Sequence, residues 1–178
     1  MRIIAGTYKG REIVSIAGNS TRPTTSFNRE LIFSTLFDVE EMSVLDLFAG
    51  SGALAFEAIS RGAKDACLVD MSEKAVKAIL HNAQKLDCKD KIQLQKMKVE
   101  LYLKKTERRF DLILVDPPYS KNCVNPILKS IFERDLLNDE GIIVMEHSIE
   151  EKINEEFKPF INKQKRNGKT VITFFEKL

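Results

Sequence analysis

The sequence predicts a doubly wound α/β fold built on a mostly parallel, seven-stranded sheet. Three observations lead to this prediction. Beyond Ser43, short apolar segments of strand length alternate with amphipathic segments of helical period. Most of the short segments are apolar at nearly every position, as in parallel strands buried on both faces. The length of 178 residues, with 43% apolar and 30% charged side chains, suits one compact domain with a small extension.

The first 38 residues precede this alternation. "RIIAGTYKGREIVSI" is predicted to form a short β-hairpin with glycines near its turn. "FNRELIFSTLF" has apolar residues at helical spacing and predicts a helix that connects to the main body. We therefore divide the chain into an N-terminal extension, residues 1–38, and a main domain, residues 39–178.

The main domain is predicted to alternate strands and helices in chain order. The predicted strands are "SVLDLF", "ACLVD", "KIQLQ", "FDLILV" and "GIIVMEH". The predicted helices between them are "ALAFEAISRG", "SEKAVKAILHNAQKL", a short helix near residues 99–105 and another near 125–133. Two further strand-like runs surround Asn167-Gly168, a dipeptide typical of tight hairpin turns. These runs predict a terminal antiparallel hairpin at the sheet edge.

Charge and composition limit the function classes. The net charge is +2, but residues 1–30 hold five basic and two acidic residues. Such a segment suits a phosphate-contacting arm, although ordinary solvated charges on an exposed hairpin give the same count. No apolar run approaches a membrane span and no signal peptide is evident, so we expect a cytoplasmic protein. The three cysteines are odd in number and far apart, which predicts reduced thiols and no metal site.

A glycine-rich loop follows the first strand of the main domain. In open α/β sheets, ligands bind beyond the carboxyl ends of the strands, where the strand order reverses. Gly50 and Gly52 allow the backbone to turn sharply and to approach a ligand closely. Asp70 ends the next strand, at the spacing expected of an acid that binds ribose hydroxyls. The candidate cofactor-binding residues of this region are Asp46, Phe48, Gly50, Gly52, Asp70 and Met71.

Two cofactor classes fit this loop. Gly50, Gly52 and Ala55 match the dinucleotide pattern G-x-G-x-x-G/A, so a nicotinamide dehydrogenase remains open. Asp46 would repel a pyrophosphate, however, and suits a ligand with a positively charged amino group, such as S-adenosylmethionine. The length also leaves little room for the substrate region of a dehydrogenase.

The strand "FDLILV" ends at Asp116-Pro117-Pro118-Tyr119, which is predicted to lie beside the glycine loop. Proline has no N–H, so this segment offers acceptors rather than backbone donors. Such acceptors suit an exocyclic NH₂ group of a nucleobase, and they stabilise the positive charge that develops on its nitrogen during methyl transfer. Tyr119 can stack on a base that has left its helix. Carbon methylation of pyrimidines would instead require a cysteine nucleophile in the pocket.

On these motifs the chain resembles the RsmD family, which methylates the exocyclic N2 of a guanine in bacterial small-subunit (16S) ribosomal RNA. The resemblance covers nearly the whole chain. It is carried by "RIIAG", "KGRE", "RPTT", "DLFAGSGALAFEAISRGA", "CLVDMS" and "LVDPPY". The glycine loop and DPPY are shared by many amino-methyltransferases, whereas their combination with RIIAG and RPTT is more specific.

The resemblance implies a class I, Rossmann-like, S-adenosylmethionine-dependent methyltransferase that needs no metal. It places the glycine loop and Asp70 at the cofactor, and Asp116, Pro117, Pro118 and Tyr119 at the target amine. It also implies that Arg22 and Thr24 lie close to the cofactor. The N-terminal extension would approach 16S rRNA, free or in a small ribosomal subunit, through Arg2, Lys9, Arg11 and Arg29. We expect a monomer, since no exposed apolar stripe requires a partner.

The chain departs from the family at two places. Ser26-Phe27-Asn28 replaces an acidic and basic pair, and Lys96-Met97-Lys98 replaces the polar pair that commonly binds adenine. The adenine contact is therefore unassigned. Three alternatives stay open: a DNA adenine-N6 methyltransferase, a protein-glutamine methyltransferase, and a ribosome assembly factor that keeps the fold without turnover.

Overall fold

The computed structural model describes residues 1–16, 26–118 and 122–177. Its central sheet has seven strands in the order β3-β2-β1-β4-β5-β7-β6. The strands are β1 (Ser43–Leu47), β2 (Asp65–Asp70), β3 (Ile92–Lys96), β4 (Phe110–Val115), β5 (Leu137–Ser148), β6 (Ile161–Asn167) and β7 (Thr170–Glu176). The first five pair in parallel, and β7 is antiparallel to both of its neighbours. The predicted mostly parallel, doubly wound sheet is confirmed.

Five helices cover the two faces of this sheet. They are α1 (Ser26–Thr35), α2 (Ala53–Ser60), α3 (Glu73–Leu86), α4 (Val99–Lys105) and α5 (Val124–Glu133). One apolar core lies between the sheet and α1, α2 and α3, and a second lies between the opposite face and α4 and α5. Alternate residues of β1 serve these two cores: Val44 packs in the first, while Leu45 and Leu47 pack in the second.

The strand order reverses between β1 and β4, the two central strands. Leu47, the last residue of β1, is paired with Val115, the last residue of β4. The chain leaves both strands at the same end of the sheet, the carboxyl-terminal end, and continues toward α2 from β1 and toward α5 from β4. The loops after β1 and β4 therefore face each other at the position where open α/β sheets bind ligands.

The N-terminal segment folds back on itself but lacks the two regular strands predicted for it. A single antiparallel bridge joins Arg2 and Glu12. The N–H groups of Ile4 and Ala5 instead donate to the carboxylate of Glu57 on α2, at 2.9 and 3.0 Å. Glu57 is fully buried. Backbone hydrogen bonds of 2.9 to 3.0 Å also join the two arms of the segment, between Met1 and Ile13 and from Ile3 and Gly10 to the opposite arm. The segment is therefore a short hairpin without regular strands, and α2 holds it in place.

Gly6 allows the N-terminal segment to approach α2 closely. Its φ is +80°, and a Cβ atom at this position would lie 1.8 Å from the carbonyl oxygen of Ser60. The Ser60 hydroxyl donates to the carbonyl of Ala5 at 2.5 Å and accepts from the N–H of Tyr8 at 2.9 Å.

Within the described ranges, no helix is long and apolar enough to cross a membrane.

Candidate active site

The loop after β1 forms one wall of the site, and its backbone is left-handed at several positions. Phe48, Gly50 and Gly52 have φ values of 60°, 56° and 78°. A Cβ at Gly52 would lie 2.6 Å from the Phe56 ring, so only glycine fits where the loop enters α2. Among the described residues, the one atom within 4 Å of a Cβ placed at Gly50 is the Phe48 carbonyl oxygen, at 3.9 Å. The space over Gly50 is thus open to a ligand.

Asp70 fixes this loop to the end of β2. Its two carboxylate oxygens accept hydrogen bonds from the N–H of Gly50 at 2.9 Å and from the N–H of Ser72 at 2.8 Å. A carboxylate has about four lone-pair positions, so each oxygen can accept a second bond from a ligand hydroxyl. Met71 follows with 62% of its surface exposed. The structure brings together the predicted residues of the loop and of the end of β2.

Asp46 lies beneath the loop with 1% of its surface exposed. Its carboxylate accepts a hydrogen bond from the N–H of Ala55 at 3.1 Å. Burial, together with smaller contributions from the negative charges of Asp116 and Asp70, raises the pKa of Asp46 to about 8 despite this hydrogen bond. Three carboxyl groups therefore converge at one end of the sheet, in an arrangement that favours a positively charged ligand.

Asp116 follows β4 and lies beside the glycine loop, as predicted. Its N–H donates to the carbonyl of Leu47 at 3.5 Å, which extends the pairing of β4 with β1 by one step. The Asp116 residue is half-buried and Pro117 is buried. The charges of Asp116 and Asp46 interact, so the two side chains lie near each other. Tyr119, Arg22 and Thr24 lie outside the described residues.

A buried polar chain beside Asp116 was not predicted from the sequence. Met145 of β5 is paired with Val115, so the next residues of these strands, Glu146 and Asp116, are level. Asn28 of α1 donates to Glu146 at 3.2 Å and accepts from Asn167 at 2.8 Å. The signal available in the sequence was an acid inside an otherwise apolar strand, "IIVMEH".

The basic residues predicted to contact RNA have different environments. Lys9 is exposed, and Arg2 is exposed but paired with Glu12 at 2.9 Å. Arg11 donates to the carbonyl oxygens of Lys85 and Leu86, at 2.8 and 3.3 Å, and so caps the C-terminus of α3.

Arg29 is a correction to the prediction. It is fully buried, and its guanidinium donates to the carbonyl of Arg2 at 3.0 Å. Because no surface of this side chain is open to a ligand, the predicted contact between Arg29 and RNA is wrong. Arg29 instead supports the N-terminal segment from beneath.

Comparison with known proteins adds independent evidence. The family model described as "Conserved hypothetical protein 95" matches residues 1–176. This is the RsmD-type methyltransferase family. The chain belongs to it. The Bacillus subtilis protein "Putative rRNA methyltransferase YlbH" is 36% identical, and the match covers 99% of each chain.

A curated relative and a solved structure, both from Escherichia coli, extend this comparison. "Ribosomal RNA small subunit methyltransferase D" of strain K12 is 30% identical, over 84% of this chain and 76% of its own. A solved structure described as "Putative methyltransferase yhhF" superposes with a TM-score of 0.87 at 26% identity, covering 100% of this chain and 99% of the other. The Rossmann-like fold expected of this methyltransferase family is thus confirmed for this member.

Proposed function

We propose that the protein transfers a methyl group from S-adenosylmethionine to the exocyclic N2 amine of a guanine in small-subunit (16S) ribosomal RNA. One observation carries the proposal: the pairing of β1 with β4 sets Asp116-Pro117-Pro118 beside Gly50, Asp46 and Asp70. The printed names of the relatives, which specify ribosomal RNA and its small subunit, support the choice of substrate.

The residues after β1 and β2 fit this cofactor. The open space over Gly50 admits a nucleoside, and Asp70 offers acceptors to ribose hydroxyls. Exposed Met71 offers an apolar surface next to Asp70. The charges of Asp116 and Asp70 favour a ligand that carries positive charge and disfavour a pyrophosphate, and such a ligand would also favour ionisation of Asp46. When bound, S-adenosylmethionine supplies an electrophilic methyl group on a sulfonium.

Asp116 and the peptide carbonyls near it act on the amine. Pro117 and Pro118 have no N–H, so this segment can only accept hydrogen bonds through its backbone. An amine held by two acceptors is oriented for in-line attack, and alignment of this kind accounts for a large part of the rate gain. The Asp116 carboxylate also stabilises the positive charge that grows on the nitrogen.

A labelled-methyl transfer assay tests the proposal. The protein is incubated with S-adenosylmethionine labelled in its methyl group and with either small ribosomal subunits, the 16S rRNA alone, or DNA, followed by nucleoside analysis. Label in N2-methylguanosine of the RNA supports the proposal. Label in N6-methyladenine of DNA overturns it, and cofactor binding without label on any substrate indicates the non-catalytic assembly factor.

An Asp116→Asn variant refines the test. It keeps the size of the side chain but removes the negative charge, so we expect kcat to fall by about 10²-fold or more, as when one electrostatic stabiliser is removed from an active site. Cofactor binding is expected to persist. Asp38→Asn is the matched control, because Asp38 is exposed and precedes β1, at the amino-terminal end of the parallel strands. Equal rates for the two variants would refute the role of Asp116.

A further inference from the structure

The hairpin of β6 and β7 carries a concentration of positive charge that the proposed reaction does not use. Residues 161–169 contain four basic residues and no acid. Every residue from 162 to 169 is exposed. We call these four residues the basic hairpin: Lys163, Lys165, Arg166 and Lys169. A lysine-rich edge strand also protects a sheet against edge-to-edge association, so charge alone does not establish a binding role.

The cations of the basic hairpin form no close ion pairs with acids of the described residues, and Arg166 donates only to the carbonyl of Gly168, at 2.9 Å. In residues 1–16, 26–118 and 122–177, none of its four cations lies within 4.0 Å of a carboxylate oxygen. Other basic residues of the chain do form such pairs; Lys177, for example, lies 2.6 Å from Asp135. Side chains alternate along a strand, so Lys165 and Arg166 present charge on opposite faces of the edge strand.

The strand register places this charge at the same end of the sheet as the active site. β7 is antiparallel to β5, and Ile172 is paired both with Glu146 of β5 and with Lys165 of β6. Glu146 is level with Asp116. Lys165 is therefore three strand spacings from Asp116, or about 14 Å at roughly 4.8 Å per strand. A short stretch of single-stranded RNA can span this separation.

Two hydrogen-bonded chains hold the hairpin in place. On one face, Asn167 reaches Glu146 through Asn28, as described above. On the other, the Gln164 amide donates to the Thr173 hydroxyl at 2.9 Å, and that hydroxyl lies 2.8 Å from Nε2 of His147. The N–H of Ile149 also donates to the carbonyl of Lys169 at 2.9 Å. The cations are thus carried by a turn fixed to β5 at the level of Asp116.

We propose that the basic hairpin binds the sugar-phosphate backbone of the RNA next to the target nucleotide, and this inference rests on the proposed function for its choice of polyanion. Unpaired cations at a fixed distance from Asp116 hold the flanking phosphates while the target base enters the cavity. The contact is independent of base sequence, since lysine and arginine recognise the phosphate charge.

Binding measurements on the full chain test this inference separately from catalysis. The variant Lys163→Ala/Lys165→Ala/Lys169→Ala is compared with Lys64→Ala/Lys104→Ala/Lys105→Ala, which removes the same charge from exposed residues that precede β2 and β4, at the amino-terminal end of the parallel strands. The Kd for a naked 16S rRNA fragment is measured against salt concentration. Each lost phosphate contact reduces the slope of log K on log salt by about 0.7 for a single strand, or about 2 for three contacts.

We expect the hairpin variant to bind RNA roughly a hundredfold more weakly at about 0.1 M salt, with the slope reduced by about 2, and the control variant to match the wild type. Binding of S-adenosylhomocysteine should be unchanged in both. Equal affinity and slope for the two variants would overturn the inference. Normal binding to naked RNA with weakened binding to intact subunits would also overturn it, because the partner would then be a ribosomal protein. Failure of the wild type to methylate RNA refutes the proposed reaction and leaves this readout intact.

Discussion

Replacement of Asp46 by asparagine should remove a pH-dependent cost of folding in the ligand-free protein. Burial is the main reason that the pKa of Asp46 is raised from its ordinary value of 3.8 to about 8, and the charges of Asp116 and Asp70 add to it. In the unfolded chain the carboxyl group titrates at its ordinary value. The folded protein therefore holds a proton on Asp46 at neutral pH that the unfolded chain has released.

The magnitude follows from this difference in proton binding. Between the two pKa values the folded state binds one more proton, so the free energy of unfolding falls as the pH rises. A difference of one bound proton changes the free energy of unfolding by about 1.4 kcal/mol per pH unit, or on the order of 3 kcal/mol between about pH 5 and about pH 7.5. Relaxation and water entry reduce this to about 2 kcal/mol. Asparagine stays neutral and keeps an oxygen for the N–H of Ala55, so the variant lacks this slope.

Urea denaturation at several pH values measures the effect. The difference between the stability curves of the wild type and Asp46→Asn isolates the contribution of this carboxyl group, because the other titrating groups are shared. We expect the variant to gain stability relative to the wild type as the pH rises. Parallel curves across this range would show that Asp46 is ionised in the folded protein and would refute the argument.

Two further pairs of variants test the stability of the fold, one through packing and the other through pH dependence. Gly6→Ala should destabilise the protein by about 3 kcal/mol in chemical denaturation. The control Gly10→Ala, also at φ +80° but with open space around it among the described residues, should destabilise it by about 1 kcal/mol. Equal losses of stability would exclude the clash with Ser60. Burial lowers the pKa of His147. The contribution of the neutral imidazole ring to the free energy of unfolding is therefore complete above pH ~6.5, and it is lost as the pH falls through the lowered pKa. His147→Gln should flatten this acid-side loss of stability and the exposed control His81→Gln should not; an unchanged slope in both would contradict a neutral buried ring.

The succession of strands and helices along the chain could be predicted because burial on both faces leaves a clear pattern. The predicted strand "FDLILV" coincides with β4, and the predicted short helix near residues 99–105 coincides with α4. The position of Asp116 beside Gly50 followed from the rule that ligand sites lie where the strand order reverses. Local sequence and one topological rule were sufficient for this part of the site.

The N-terminal segment could not be predicted in the same way. Its glycines and short apolar patches predicted a hairpin, and its two arms do pair. The acceptor for the N–H groups of Ile4 and Ala5, however, is Glu57, more than 50 residues away. Likewise, Arg11 and Arg29 counted equally as positive charges in the sequence. Only the tertiary structure shows that one caps α3 and the other is buried. Charge counts give composition, whereas function depends on which charges stay accessible.

The charges at the carboxyl end of the sheet are arranged in two zones of opposite sign. The charges of Asp70 and Asp116 lie close to Asp46 beside the glycine loop, while the basic hairpin lies about 14 Å away at the edge strand. A phosphate is repelled by the first zone and attracted by the second, whereas a neutral base or a positively charged cofactor meets no such repulsion in the cavity. A nucleic acid can satisfy both zones only by leaving its backbone at the edge and turning one base inward. The same arrangement disfavours a dinucleotide cofactor, whose pyrophosphate would have to lie among the three acids.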